Sequence, residues 1–410
     1  MKRAGFLTAL CLLLCVLALP GLCESQPLPV IQITFPDEAV LSVTDGVDAK
    51  VIINRENAFD AKLYLSGGHM DVAEIALPQK SLRIENEITS FFLYNGGNDG
   101  MYTRLISQVC CDLIARCSLP VAVRKQEPVE VYLNGEYAGL YTRRESIWDA
   151  AARFEGLTDT ASLSVADGSG TVIFGKAGFR DALRQLLTMD FSDAEACESA
   201  KTLFDTESFL NCLAINTCFG NSNFYGSYFF YQAEGGPWKC ALGDFAYAFF
   251  SARDNSVGRI FSQQARQDLG RLAQALLSAP AFREAFLEKL GNVYRALPVP
   301  VMQAAVDAEN ERIAAALPSH MQRWAAAFSE TLKNDFDYPA ENAENALLFQ
   351  RYRVYRLRDK TLPQRPWYLY DSVQRELQVS DADMARFFGE RPSLPKVPGD
   401  SWTEYRENHP

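Results

Sequence analysis

The residue types that could do chemistry are concentrated between Asn221 and Phe250. Gly220 to Ser227 is a small, polar loop carrying Asn221, Asn223 and Ser227. Tyr228 to Gln232 is an aromatic run with the β propensity of a buried strand. Turn residues follow from Ala233 to Pro237, Trp238 to Leu242 reads as the return strand of a hairpin, and Gly243-Asp244-Phe245 comes at once. A hairpin brings its two ends together, so the polar loop and Asp244 are expected side by side. That order can gather two polar clusters around one metal and one phosphate tail. Taken alone, one Asp after a strand is more often a turn or cap residue than a metal ligand, and aromatic runs are mostly core.

The elements that must position this stretch fall into two halves. From Val30 to Ile147 strands dominate: Val30 to Phe35, Ala49 to Ile53, Ala61 to Leu65 and Lys80 to Ile84. One helix interrupts them, from about Asp99 to Arg116, with Leu105, Val109, Leu113 and Ile114 near helical spacing. Val129 to Leu133, the turn Asn134-Gly135 and Tyr137 to Thr142 form the clearest hairpin. Beyond Ile147 amphipathic helices are expected over Ala177 to Leu187, Asp193 to Phe204 and Glu207 to Cys218. The last has Asp205 or Thr206 as N-cap and leads straight into the Asn221 loop. Further helices are expected near Arg266 to Leu277, Pro280 to Leu297, Pro300 to Ala316 and Asn342 to Arg358. The chain from Leu362 is interrupted by proline and reads as a loose tail with a short helix around Asp381 to Phe388. Gly170 to Lys176 has the spacing of a phosphate-binding loop, but its middle is β-branched and apolar, and Ala177 lacks the hydroxyl that would hold magnesium.

Length and charge set outer bounds. The 410 residues exceed what one core serves, so two lobes or domains are expected. A formal charge of -11 gives no long-range attraction for nucleic acid or anionic lipid, and no nucleic-acid partner is expected. Lys2-Arg3, the apolar run Phe6 to Leu19 and the turn-prone Pro20 to Ser25 read as a signal peptide over residues 1–23. Leu22 disfavours a lipoprotein anchor at Cys23. No other stretch is apolar and long enough to span a membrane, so none is expected after cleavage. Seven cysteines follow the leader, an odd number. Cys110 and Cys117 would lie roughly 10 Å apart along one helix, too far for a disulfide. Most read as small buried apolar residues and not as a zinc site.

Several segments together resemble the spore coat protein H (CotH) kinase family. Val129-Glu-Val-Tyr-Leu-Asn-Gly-Glu-Tyr-Ala-Gly-Leu-Tyr-Thr-Arg-Arg-Glu145 is similar to the family's "vyvNGeYxGxYxxxE" almost position by position. Pro78-Gln-Lys-Ser-Leu-Arg83 resembles its "pKKsyr", with Gln79 for the first Lys. His320 to Trp324 resembles a helical "RW", and Phe92 through Arg104 another family segment. Ser66 to His69 stands in the place of "RGxS" and fits it poorly. The Asn221 stretch resembles the distal motif, with Asn223 in place of its first Asp, Ser227 in place of Asn and Ala246 in place of the last Asp. The resemblance covers about Val30 to Arg358. It implies an α+β, two-lobed atypical protein-kinase-like fold, with a strand-rich N-lobe of about 30–147, a helical C-lobe of about 148–358, and residues 359–410 as a tail. It also implies ATP with magnesium or manganese. In that scheme Lys80 holds phosphate from a strand beside a Gly-rich loop, and Glu145 orients the lysine or holds the hinge between lobes. Asp244 and Asn223 serve at the metal, Asn223 lies near an acceptor hydroxyl, and Ser227 is an auxiliary contact.

Two functions follow from this resemblance. In the first, a secreted module with weakened or lost catalysis acts as a binding or scaffold protein at the cell envelope, with an exported or envelope protein as partner. In the second, an active atypical kinase moves the γ-phosphate of ATP to Ser or Thr of an exported protein. Three substitutions in one motif favour the first, since a positioned base contributes roughly 10²–10⁴-fold. A carbohydrate-binding or hydrolytic domain is a weaker third reading, for want of a carboxylate pair on one surface. The leader predicts a mature chain starting near Glu24 to Gln26 outside the cytoplasmic membrane. N-terminal sequencing checks this, and Met1 recovered from a membrane fraction would point to a retained anchor.

Overall fold

The clearest local signal, Asn134-Gly135, is a hairpin turn with both residues at positive φ, 48° and 84°, as the tight turn between twisted strands requires. In the computed structural model, which describes residues 27–66, 79–87, 89–223, 226–261, 267–332, 342–397, 399 and 401–409, it joins two long strands. These belong to a closed barrel of order β1-β2-β3-β4-β5-β8-β7. The barrel strands are β1 (Val30–Thr34), β2 (Val47–Ile53), β3 (Asn57–Leu65), β4 (Leu82–Glu85), β5 (Ser90–Tyr94), β7 (Gln126–Leu133) and β8 (Glu136–Glu145). β1 closes the ring by pairing in parallel with β7, Val30 opposite Glu130. Alternate residues such as Ile31, Val51, Leu63, Ile84, Leu93 and Val131 fill the interior, the period-two pattern of a filled barrel. The expected leader and the segment from Gly67 to Pro78 lie outside the described residues.

A second sheet of order β10-β9-β11-β12-β6 lies among the helices. It is built from β6 (Ala122–Val123), β9 (Leu163–Asp167), β10 (Val172–Phe174), β11 (Tyr228–Ala233) and β12 (Lys239–Leu242). β10 lies within the β-branched middle of the phosphate-loop lookalike. One face carries Tyr231, Ala241 and Val165 against the helix Ile147–Glu155. The other carries Tyr228, Phe230 and Leu242 into the main helical core. The helix Thr206–Phe219 runs through that core, capped at its N-terminus by the Asp205 carboxylate on Ser208 N–H. Asp193 and Asn342 cap their helices in the same way.

The boundaries expected from sequence shift in two places. Helix Ile106–Arg116, expected in the strand-rich half, buries Val109, Cys110 and Leu113 in the helical core, and β6 pairs in parallel with β12. The chain therefore passes into the second half and back before Ile147. The expected tail is also part of that core: Leu362, Leu369, Tyr370, Val373 and Phe388 are buried in it. Its prolines, Pro363 and Pro366, follow a π-helical turn, Leu357–Thr361, where the regular helical ladder is already interrupted.

The barrel is gripped where β8 kinks. Gly139 has φ 116°, and an added Cβ would lie 2.7 Å from Trp324 Nε1, 2.9 Å from His320 Nδ1 and 3.1 Å from Gln79 Nε2. Trp324 Nε1 donates to Ala138 O at 2.9 Å, and Leu140 N–H donates to His320 Nδ1 at 3.2 Å. Leu140 O accepts from Gln79 Nε2 at 3.0 Å and from Arg104 at 2.8 Å. The helical "RW" segment therefore holds the hairpin motif, one turn of helix reaching two successive peptides. Among the described residues the cysteines are free thiols. Burial pushes Cys117 and Cys218 up to about 12, so both stay protonated. No helix among the described residues is long and apolar enough to cross a membrane.

His320 is fully buried, and desolvation, with the Arg104 charge second, holds its pKa well below the ordinary 6.5. The unfolded chain takes up this proton below that pH and the native chain does not. Stability is therefore undiminished above about 6.5 and falls as the pH drops, by up to about 1.4 kcal/mol per unit. His320→Asn, which keeps an acceptor near Nδ1, is expected to flatten this slope in urea unfolding between pH 6.5 and 5.

Candidate functional site

The loop and the turn meet as the hairpin order demands. Gly220 ends the long helix in the left-handed conformation, φ 60°, the usual reason for glycine there. Asn221 then spans the gap: its Nδ2 donates to Asp244 O at 3.0 Å and its Oδ1 accepts Asn223 N–H at 3.1 Å. Gly243 N–H donates to Ser227 O at 3.0 Å, closing the base of the hairpin. Gly243 has no room for a side chain, because a Cβ would lie 2.4 Å from the Phe229 ring.

Within this arrangement most polar groups are already engaged. Ser227 is fully buried; its hydroxyl donates to Asn223 O at 2.8 Å and accepts from Asn216 Nδ2 at 2.9 Å. Asn223 Oδ1 accepts Gly226 N–H at 3.2 Å. Asp244 Oδ1 accepts Ala246 N–H at 3.0 Å, so one carboxylate oxygen caps the turn. Among the described residues no three His, Cys, Asp or Glu side chains gather as a metal site. A magnesium ion takes near-octahedral oxygen coordination, commonly through one or two carboxylates plus phosphate and water. Here one carboxylate, with one of its oxygens used by its own turn, faces that requirement, so phosphate and water would have to supply most of the coordination.

Lys80 and Glu145 take other places. Lys80 is exposed on the loop before β4, not on a strand, and among the described residues no hydrogen bond or ion pair joins it to Asp244. The reason is parity. Leu82 and Ile84 point into the closed barrel, so a strand continued to residue 80 would drive an ammonium into an apolar interior. The chain leaves the sheet first, and Gln79 is the buried neighbour that crosses to β8. Glu145, at the end of β8, accepts Lys125 N–H at 2.9 Å and Arg153 at 2.8 and 3.0 Å. Arg153 also donates to Val123 O at 2.9 Å. Glu145 thus ties together the crossing between barrel and second sheet, beside a groove of about 780 Å³ whose cations include Arg124, Arg143 and Arg312. The Gly-rich element expected beside Lys80 lies, from Gly67 to His69, outside the described residues.

Three positioning residues escape a local reading. Asn216 is the one with a visible signal, an amide that, like Asn211, lies in the largely apolar run from Phe209 to Phe219. Asp99 caps helix Ile106–Arg116, accepting from Ile106 N–H at 3.0 Å and from Thr103 through both its hydroxyl and its N–H. Arg365 is fully buried and reaches back to the end of helix Thr206–Phe219. It donates to Thr217 O at 2.6 Å, Cys218 O at 3.0 Å, Asp254 O at 2.6 Å and Ala252 O at 3.3 Å. Its sequence setting between prolines gives no hint of this.

Arg365→Met would leave four buried carbonyls without their donor. The expected result is a loss of about 3 kcal/mol or more in urea unfolding and faster amide exchange from Gly220 to Ser227. Arg365→Lys, with a smaller donor fork, is expected to recover only part of either.

A family model described as CotH kinase protein matches residues 73–345 of the chain. No curated protein matches it.

Proposed function

Because the chain belongs to the CotH kinase protein family, we propose that it is a two-lobed, kinase-fold binding or scaffold protein of the cell envelope in which phosphoryl transfer is weakened or lost. Family membership points in general to ATP and a divalent metal. The observation that carries the proposal is how the loop's donors are used: Ser227 and Asn223 hold the loop itself, and Asp244 is its one carboxylate, partly spent on Ala246 N–H. Phosphoryl transfer depends on positioned charge more than on covalent help from the protein. Here the cation expected on the phosphate, Lys80, is exposed and has no bond to Asp244. The expected acceptor-side base is an amide. What persists is the framework: the hairpin, the Gly139 clamp and the aromatic core around Tyr228 and Phe230. The leader read from sequence supports an exported location, and with it an exported or envelope-bound protein partner.

Thermal unfolding with Mg-ATP or Mn-ATP tests this. A nucleotide at a hundred times its dissociation constant would add about 2.7 kcal/mol; the expected result over millimolar ATP is no shift. Phosphorylation of an exported protein by the unmodified chain, abolished by Asp244→Ala, would establish the active-kinase reading instead.

A further inference from the structure

The face of the helix Thr206–Phe219 that packs on the second sheet carries a pair of thiols that the candidate site does not use. Cys240 lies opposite Phe230 in the register of β12 with β11, and residues directly opposite one another project to the same side of a sheet. That side is the helical core: the Phe209 ring packs on Tyr228 at 5.9 Å and on Phe230 at 6.3 Å between centroids. Ser208, beside Phe209, bonds the strand directly. Its hydroxyl accepts Cys240 N–H at 2.9 Å and donates to Asp205 O at 2.8 Å. Serine and cysteine side chains have nearly the same length, so a strand near enough to bond Ser208 is within reach of a cysteine on the same helix face. Cys212, four residues on from Ser208 and three from Phe209, stands on that face, and both thiols are buried in the one core. Burial first, and contact with the Cys212 thiol second, push the Cys240 thiol well above its ordinary range.

A lone buried cysteine is a small apolar residue; two that meet across a helix and a strand have a second chemistry. The other cysteines are placed differently. Cys110 and Cys111 are neighbours on one helix, and the half-buried Cys197 thiol donates to Phe191 O at 3.3 Å. The Cys218 thiol also raises Cys117, but Cys117 is directed to Leu113 O on its own helix, at 3.2 Å. Cys212 lies nine residues before Asn221, and Cys240 four before Asp244. A bond between them would close a loop that contains Asn221, Asn223, Ser227 and the hairpin turn, and would tie the helix to the strand that delivers Asp244. Such bonds persist outside the cytoplasmic membrane and are rare inside it.

We infer that Cys212 and Cys240 are the site of a stabilising disulfide, closed as the chain folds in the presence of a disulfide oxidant. One of the two thiolates attacks the oxidant's S–S bond and a first thiol leaves. The other then attacks the mixed disulfide at the protein sulfur, and a second thiol leaves. The two protein thiols give up two protons and two electrons, one S–S bond forms, and the oxidant's S–S bond becomes two thiols. Both sulfurs are shielded once the core has closed, so the exchange belongs to folding. For its setting the inference rests on the exported location proposed above; its chemistry is tested on the purified chain.

The full chain is unfolded with reductant, refolded with reduced and oxidised glutathione, alkylated, and digested with trypsin without reduction. Cleavage after Lys201, Lys239 and Arg253 puts Cys212 and Cys218 in the peptide 202–239 and Cys240 in 240–253. The expected product is a cross-link between these two peptides, with fragmentation placing it at Cys212 and the alkyl group at Cys218. The cross-linked chain is expected to melt about 5 °C above its reduced form, a difference lost in Cys240→Ala. The inference is overturned by the absence of this link, by a link through Cys218, by equal melting of the linked and reduced chains, or by a melting difference that survives in Cys240→Ala. The digest needs no variant, so it decides even if Cys240→Ala does not fold. Recovery of the chain from the cytoplasm would overturn the exported location and leave the linked peptide standing, whereas a missing link overturns the pair and leaves the location as it was.

Discussion

One buried guanidinium sets the position of the whole candidate site. Arg365 lies where the helix Thr206–Phe219 ends, and its N–H groups bind two carbonyls of that terminus and two from the segment after the turn, Ala252 O and Asp254 O. The last carbonyls of a helix carry partial negative charge and lack partners, so a cation is favoured there twice, by dipole and by hydrogen bond. That compensation is what makes a fully buried arginine tolerable. The same contact dictates Gly220, since a Cβ there would lie 2.8 Å from the guanidinium carbon. The loop from Asn221 to Ser227 and the turn at Asp244 then hang from a fixed point, and Asn216 and Asn221 stitch them to each other.

The barrel is held by a comparable economy of contacts. Two side chains four apart on one helix, His320 and Trp324, bond the peptides around Gly139, while Gln79 and Arg104 take the carbonyl of Leu140. A strand inside a closed barrel has both edges paired, so only a local bulge frees peptide groups for an outside partner. The register of β7 with β8 shifts between Val131 and Tyr132, opposite Gly139, and supplies such a bulge. The aromatic and glycine spacing of the hairpin motif therefore has a mechanical reading that is independent of catalysis.

What was legible in the sequence follows from how local each constraint is. The Asn134-Gly135 turn, the Asp193, Asp205 and Asn342 caps, and the adjacency of the Asn221 loop with Asp244 each depend on residues close in sequence or joined by one hairpin. Lys80 was misplaced because its direction depends on closure of the barrel, a pairing of β1 with β7 that no local pattern announces. Helix Ile106–Arg116 carried the right periodicity, yet periodicity does not say which of two cores takes its apolar face. The segment after Leu362 read as a tail because its prolines read as breakers, and the π-turn that accommodates them has no simple sequence mark.

The reach of Arg365 also sets the timing of assembly. The residue that fixes the end of the helix lies 147 positions downstream of Cys218, the carbonyl it binds. A ribosome must deliver the chain as far as residue 365 before that bond can form, and loops this long close late and only with help from other contacts. Until then the Asn221 loop has no anchor, and the helical core lacks the side chains from Leu362 to Phe388 that complete it. The site therefore cannot take its final shape while residue 365 is still missing. A shortened chain that stops before residue 365 would keep the sequence of the motif without the side chain that fixes the helix end.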